Sequence, residues 1–307
     1  MKQTFILEDD AWSLGDKPEQ EDYPGLSYVL DNGAWSVEEE ILPPVWENGK
    51  VLNTLGFDSS TGAKLERVLT EPIDNNTPWT FSMWFKPDAS HNAHWIQSWQ
   101  DSSGLEFGLK INDSNDWEWP GNVDVWETTG RPISPESNLT GKLVNEVDAD
   151  TWACFTLMYD PDIGKRLLLM RSKTLIYTTD SSPLQYAEYP HMGDKLLLGG
   201  GYNSSMPQGH IAHVLFIDGA MAGPSDYIDV DSNGKPIPKQ YTGDFGPNGF
   251  NYTFQDPDFI GMDISGNDNH LTVEGIGSDQ VEMEEVVSPY TVIELKKMIA
   301  KQKLKSK

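Results

Sequence analysis

The run Trp119-Pro-Gly-Asn-Val-Asp-Val-Trp-Glu127 gathers the residue types that chemistry on a sugar needs. Asp124 and Glu127 are carboxylates, Asn122 is an amide, and Trp119 and Trp126 carry flat apolar rings. Two carboxyl groups about 5–5.5 Å apart can cleave a glycosidic bond with retention, and alternate strand positions help to set that spacing. Asn122 and Asp124 alternate along a strand, whereas Glu127 reaches their face only if a bulge intervenes. Without hydrolysis the same residues suit binding, because sugar C–H faces pack on rings while Asn and Asp satisfy the hydroxyls. Trp95, Trp99, Trp117 and Tyr202 fall in loops expected along the same rim and complete the candidate carbohydrate-binding set. The other reading of these aromatics is burial in the core or in subunit contacts.

Two acidic loops have the composition of calcium sites. Asp229-Val-Asp-Ser-Asn-Gly234 copies the first half of a helix-loop-helix calcium loop, with oxygens at Asp229, Asp231 and Asn233 and glycine sixth. Its twelfth position is Gln240 instead of Glu, and two prolines interrupt the helix that such a loop requires after it. In Asp263-Ile-Ser-Gly-Asn-Asp-Asn269 the oxygens of Asp263 and Asn267 are the candidate ligands, and a turn capped by its own Asx and Ser side chains is the alternative. Calcium is the one cofactor these loops admit. No phosphate loop, nucleophile elbow or dinucleotide fingerprint is present.

A net charge of −26 argues against nucleic acid as a general partner, since phosphates would be repelled. From Glu294 onward six Lys stand against one Glu, a net of +5, which leaves −31 on Met1 to Ile293. No apolar run approaches the length of a membrane span, and Glu8-Asp9-Asp10 interrupts the N-terminus where a signal sequence would be apolar. The lone Cys154 permits no internal disulfide, in keeping with folding in a reducing cytoplasm.

Positioning the candidate residues falls to a series of short strands. Trp79-Thr-Phe-Ser-Met-Trp-Phe-Lys86 alternates cleanly, with Trp79, Phe81, Met83 and Phe85 inward. Trp152 to Tyr159, Lys165 to Arg171 and Gly209 to Gly219 are apolar on both faces, as strands inside a two-sheet sandwich are. In the last of these, Ile211, His213, Leu215 and Ile217 are expected on one face and Ala212, Val214 and Phe216 on the other. Val51 to Phe57, His94 to Trp99 and Leu105 to Ile111 supply further strands, and a long loop is expected between Asn112 and Asn145. Asp218 to Tyr241 reads as a linker with one helical turn at Pro224 to Tyr227. Gly249 to Phe254 returns as a strand that could close the sandwich on the first one.

Trp152…Tyr159-Asp160, Gly164-Lys-Arg-Leu-Leu-Leu, Leu198-Gly-Gly and Gly209-His-Ile-Ala-His-Val-Leu-Phe-Ile-Asp218 resemble a concanavalin A-like jelly roll of the laminin-G-like type. Pro238-Lys-Gln-Tyr-Thr-Gly243, Gly246-Pro-Asn-Gly-Phe250, Asp263 to His270 and Ser278-Asp-Gln-Val281 are similar to structural proteins of tailed bacteriophages that carry this domain. The resemblance runs from roughly Val51 to Pro289. It implies an all-β concanavalin A-like jelly-roll sandwich with no enzymatic activity, in a virion and assembled from the host cytoplasm. Head decoration, a head fibre and a tail-associated component all fit it. The run around Trp119 also resembles the active-site strand of laminarinase-type glucanases. In that pattern the nucleophile's position is held by Asn122, and an amide cannot form the glycosyl-enzyme intermediate.

Outside the sandwich, residues 1–50 are expected to form an extended acidic arm, laid over its own domain or over a neighbouring subunit, and residues 290–307 a short basic amphipathic helix. Trp12, Trp35 and Trp46 in the arm, with Lys296, Lys297 and Lys301 in the helix, are the candidate attachment residues. Their partners would be other virion proteins or copies of this chain, with a trimer as the guess. The remaining expected partner is a host-surface glycan, which would make the protein an attachment adhesin.

Overall fold

A computed structural model describes residues 53–57, 65–69, 73, 76–88, 99–100, 108, 150–161, 194–198, 209–288, 291–294 and 297 in full, and the backbone pairing of the strands named below. The chain divides into two compact units, Met1–Pro44 and Val45–Lys307. In the first, Ala34–Glu39 pairs antiparallel with Leu26–Asp31 on one side and Thr4–Phe5 on the other, and Leu7–Glu8 pairs with Ala11–Trp12. These pairings join backbone groups within the unit itself. Asn32-Gly33, between the paired Asp31 and Ala34, is the dipeptide favoured by two-residue hairpins.

The second unit is a jelly-roll sandwich of two antiparallel sheets. Its first sheet runs in the order Thr174–Thr178, Arg166–Arg171, Ala153–Asp160, Trp79–Pro87, Gly209–Asp218, Asn53–Phe57, Val281–Met283. Its second runs Arg131–Pro132, Gly121–Glu127, Glu106–Asn112, Trp95–Gln100, Lys195–Leu198, Lys64–Val68, Thr272–Glu274. The two meet in a core of Trp79, Phe81, Met83, Phe85, Phe155 and Phe216 from the first sheet and Leu65, Trp99, Leu196 and Leu198 from the second. The alternation expected of Trp79 to Phe85 is the one observed, with Trp84 on the opposite face.

Gly209–Asp218 departs from simple alternation. Ser82 pairs with Leu215 but Trp84 with Ala212, so Met83 faces an extra residue, a β-bulge. His213 sits in that bulge with φ +41°. The insertion moves Ile211 to the face of Val214 and Phe216, inside the sandwich, and puts Ala212 with Leu215 and Ile217 outside. It also divides one strand edge between two partners. Gly209–Ile211 pairs with Asn53–Phe57, and Val214–Phe216 pairs with Phe250–Tyr252. The late strand therefore does not close on the first one. That role falls to Val281–Met283, which pairs with Asn53–Leu55.

The expected linker is instead a third layer. Ala222, Tyr227, Ile228 and Phe245, with Val286, are buried against Trp84, Trp152, Cys154, Ala212, Leu215 and Ile217 on the outer face of the first sheet. The one helical turn, Pro224–Tyr227, is present and brings Tyr227 into this second core. Thr80 fastens the layer at its start: its hydroxyl donates to the Ala220 carbonyl (3.2 Å) and accepts from the Ala222 N–H (2.9 Å). With one face against the sandwich core and the other against this layer, the three central strands of the first sheet, Ala153–Asp160, Trp79–Pro87 and Gly209–Asp218, are buried along most of their length. The described candidate residues Trp95, Trp99, Asn122, Asp124, Trp126 and Glu127 lie in strands of the second sheet.

Candidate functional site

The strands Glu106–Asn112 and Gly121–Glu127 pair without interruption, Asn112 with Asn122, Lys110 with Asp124, Gly108 with Trp126 and Phe107 with Glu127. Paired residues share a face and neighbours along a strand alternate. Trp99 identifies the faces, because it pairs with Phe107 and lies in the sandwich core. Phe107 and Glu127 are therefore on the core-facing side by register, and Asn122, Asp124 and Trp126 are on the outer side. The bulge needed to bring Glu127 round is absent, which corrects the carboxylate pair: Asp124 and Glu127 do not share a face.

Trp95 and Trp99 are four apart, and simple alternation would put them together. A register shift between Trp95 and Gln97 separates them, pairing Trp95 with Lys110 on the outer side. Trp99 is fully buried, its ring 6.4 Å from Phe81 and 5.1 Å from Phe216 of the other sheet. It is a core residue and, contrary to expectation, does not belong to a carbohydrate-binding set. Trp117, Trp119 and Tyr202 lie outside the described residues.

The outer side also holds residues that the candidate set omitted. Asn112 and Lys110 stand opposite Asn122 and Asp124, Ser98 stands opposite Gly108, and Gln100 stands opposite Glu106. Their signal was present in Glu106-Phe-Gly-Leu-Lys-Ile-Asn112, whose polar positions alternate with Phe107, Leu109 and Ile111. Beyond them, Lys195 pairs with Gln100 and lies 3.2 Å from the Glu66 carboxylate. Gly108 and Gln100 are buried, whereas Val68, paired with Lys195 on the same side, is 52% exposed.

The two acidic loops are ordered by their own hydrogen bonds. Asp229 ends its side chain on the Val230 N–H at 2.8 Å. Asp231 accepts from the Asn233 and Lys235 N–H groups at 2.9 and 2.8 Å, and Asn233 donates its side-chain amide back to it. Burial would raise the Asp231 carboxyl, but these hydrogen bonds prevail and hold it below the usual range. The result is the turn of a hairpin between Ile228–Val230 and Pro236–Pro238, not the start of a helix. Asp263 is nearly buried and accepts four hydrogen bonds, from the N–H groups of Asn251, Ser265 and Asn269 and from the Ser265 hydroxyl, at 2.7–2.9 Å. Asn267 and Asn269 donate to the carbonyls of Gly246, Pro247 and Gly249. This loop ties the turn before Phe250–Tyr252 to the strand itself. Among the described residues, no group of three or more His, Cys, Asp or Glu is placed to hold a metal ion.

Of the attachment candidates, Trp12 and Trp35 lie in strands of the first unit and Trp46 in a strand of the second, paired with Val51. Near the C-terminus, Thr291 and Glu294 form a capping box: the Thr291 N–H and hydroxyl donate to Glu294, and the Glu294 N–H donates to Thr291 Oγ1. Residues 292–294 and 297 are helical, with Lys297 exposed, and the Val292 N–H anchors this start to the Gly234 carbonyl. Lys296 and Lys301 lie outside the described residues. No helix among the described residues is long and apolar enough to cross a membrane.

No protein-family model matches the chain, and no curated protein matches it. Among solved structures it is similar to a protein of Bacteroides ovatus ATCC 8483 described as a candidate carbohydrate binding protein, at 13% identity and a TM-score of 0.48, over 77% of this chain and 62% of that one. The native heptameric SAP-like pentraxin of Limulus polyphemus matches at 12% identity and a TM-score of 0.38, over 56% of this chain and 77% of the pentraxin. Domains LG4-5 of the mouse laminin alpha1 chain match at 11% identity and a TM-score of 0.35, over 63% and 47% of the respective chains.

Proposed function

We propose that the chain is a non-catalytic, lectin-like subunit that binds glycan on the outer side of its second sheet. The observation that carries this reading is the unbroken register of Glu106–Asn112 with Gly121–Glu127, which sets Asn122, Asp124 and Trp126 on one face with Asn112 and Lys110. An aromatic beside amides and charges is the combination that holds a sugar by its C–H face and its hydroxyls together. A glycan array probed with the full chain tests it, with and without a calcium chelator. Binding that is lost in Trp126→Ala, with the thermal melt unchanged, is the expected result. A flat array means the sandwich is architectural only.

The setting we propose is a tailed-phage particle, with the protein as a head decoration, fibre or tail component. The sequence resemblance from Pro238 to Val281 supports it, as does a capped helical start at Thr291 leading into a sequence with six Lys, on a chain otherwise of charge −31. A basic segment of this kind suits docking on an acidic neighbour, another virion protein or a copy of this chain. Mass spectrometry of purified particles, with immunogold labelling, would place the protein on the head or the tail. Its absence from every particle would end this part of the reading while leaving the glycan test intact.

A further inference from the structure

On the proposed glycan face the two tryptophans are spread apart. Trp95 pairs with Lys110 and Trp126 with Gly108, so the Glu106–Asn112 strand lies between them and their rungs differ by one step along it. With neighbouring strands about 4.8 Å apart and a rise of about 3.4 Å per residue, the two positions are roughly 12 Å apart. A single hexose cannot reach both, whereas a chain of three can. Between them Lys110 stands opposite Asp124, a pairing of opposite charges that leaves this rung without net charge. The next rung is Asn112 with Asn122, and the other neighbour includes Ser98 with Gly108, all uncharged. Glu106, Glu146 and Glu66 share the face with Lys195, and the chain as a whole carries −26, so the field disfavours an anionic sugar.

We infer that this face takes a neutral, linear glycan of at least three sugar units, laid obliquely across the strands from Trp95 to Trp126 over the Lys110–Asp124 rung. The inference rests on the glycan-binding reading above and adds to it a length, a charge and a second aromatic.

Calorimetric titration of the full chain tests it, using neutral gluco-, manno- and galacto-oligosaccharides of one to six units beside an oligogalacturonide series. Affinity is expected to climb about tenfold or more from one unit to three and to level off by five. Trp95→Ala should lower hexasaccharide affinity about tenfold and flatten the length dependence, and Trp95→Phe should restore most of it. The oligogalacturonides should bind more weakly than their neutral counterparts. A monosaccharide that binds as tightly as the hexasaccharide overturns the inference. So does a Trp95→Ala variant that melts normally and binds like wild type, or tighter binding of the anionic series. Each of those outcomes leaves glycan binding itself standing, whereas silence toward every sugar removes both.

Discussion

Asp124 and Glu127 lie on opposite faces of one sheet, because Asp124 pairs with Lys110, Glu127 with Phe107, and no residue is inserted between them. Acid and nucleophile of a retaining glycosidase must both reach the same bond, so this strand cannot supply the pair. Restoring the nucleophile of the glucanase-like pattern should therefore change nothing. Neither wild type nor Asn122→Glu is expected to release reducing sugar from β-glucans at high protein concentration. Turnover by the variant would mean that Glu127 shares the face of residue 122 after all.

Trp99 and Trp126 have the same side chain and opposite fates. Trp99 is enclosed by Phe81 and Phe216, while Trp126 is on the outer side by register. Trp99→Ala is expected to cost about 3–5 kcal/mol in urea unfolding, the range for truncating a buried aromatic. Trp126→Ala should stay within about 1 kcal/mol of wild type and act on binding instead. Equal losses in the two variants would show that Trp126 is structural.

Much of the sandwich was readable from period-two alternation, and the Trp79–Pro87 strand behaves as its pattern requires. What alternation could not show are the places where one strand gains a residue on its partner. The shifts at His213 and between Trp95 and Gln97 come from tertiary pairing, and each moves a tryptophan or an isoleucine to the other face. The third layer was hidden for another reason. Ala222, Tyr227, Ile228, Ile237 and Phe245 come from a loop, one helical turn and a hairpin, so their burial obeys no single period, and the prolines among them imitate a linker. The cap at Thr291 and Glu294, by contrast, is a purely local pattern, a Thr followed three residues on by Glu, and it lies just after the Ser288-Pro-Tyr290 stretch from which the helix was expected to start.

Cys154 is buried beside Ser82 and Thr156, its sulfur 3.2 Å from the Ser82 hydroxyl. Burial pushes its thiol up to about 12, against the smaller opposing effect of those two hydroxyls. The folded protein should resist iodoacetamide at pH 8 and take up one equivalent per chain after denaturation, counted by intact mass. The raised value also means that the stability contributed by the neutral thiol is complete below about pH 9, the unfolded value, and is lost as the pH rises through about 12. Alkylation of the native chain at the rate of a free thiol would contradict the burial.

His213 offers the corresponding test on the acid side. Enclosure in the bulge of Gly209–Asp218 lowers its imidazole from 6.5 to about 3, so the folded chain keeps it neutral where the unfolded chain would protonate it. Its stabilising contribution is present above pH 6.5 and is lost as the pH falls toward and through 3. The carboxylates titrate in part of the same window, so the variant must be compared with wild type at each pH. Asn suits the left-handed φ of +41° at this position, which makes His213→Asn the least disruptive replacement. Urea midpoints measured from pH 7 to pH 4 should fall more steeply for wild type than for His213→Asn, at about 1.4 kcal/mol per pH unit once the unfolded imidazole is protonated. Parallel slopes would mean that His213 takes up its proton without leaving the fold, and that its bulge is open to water.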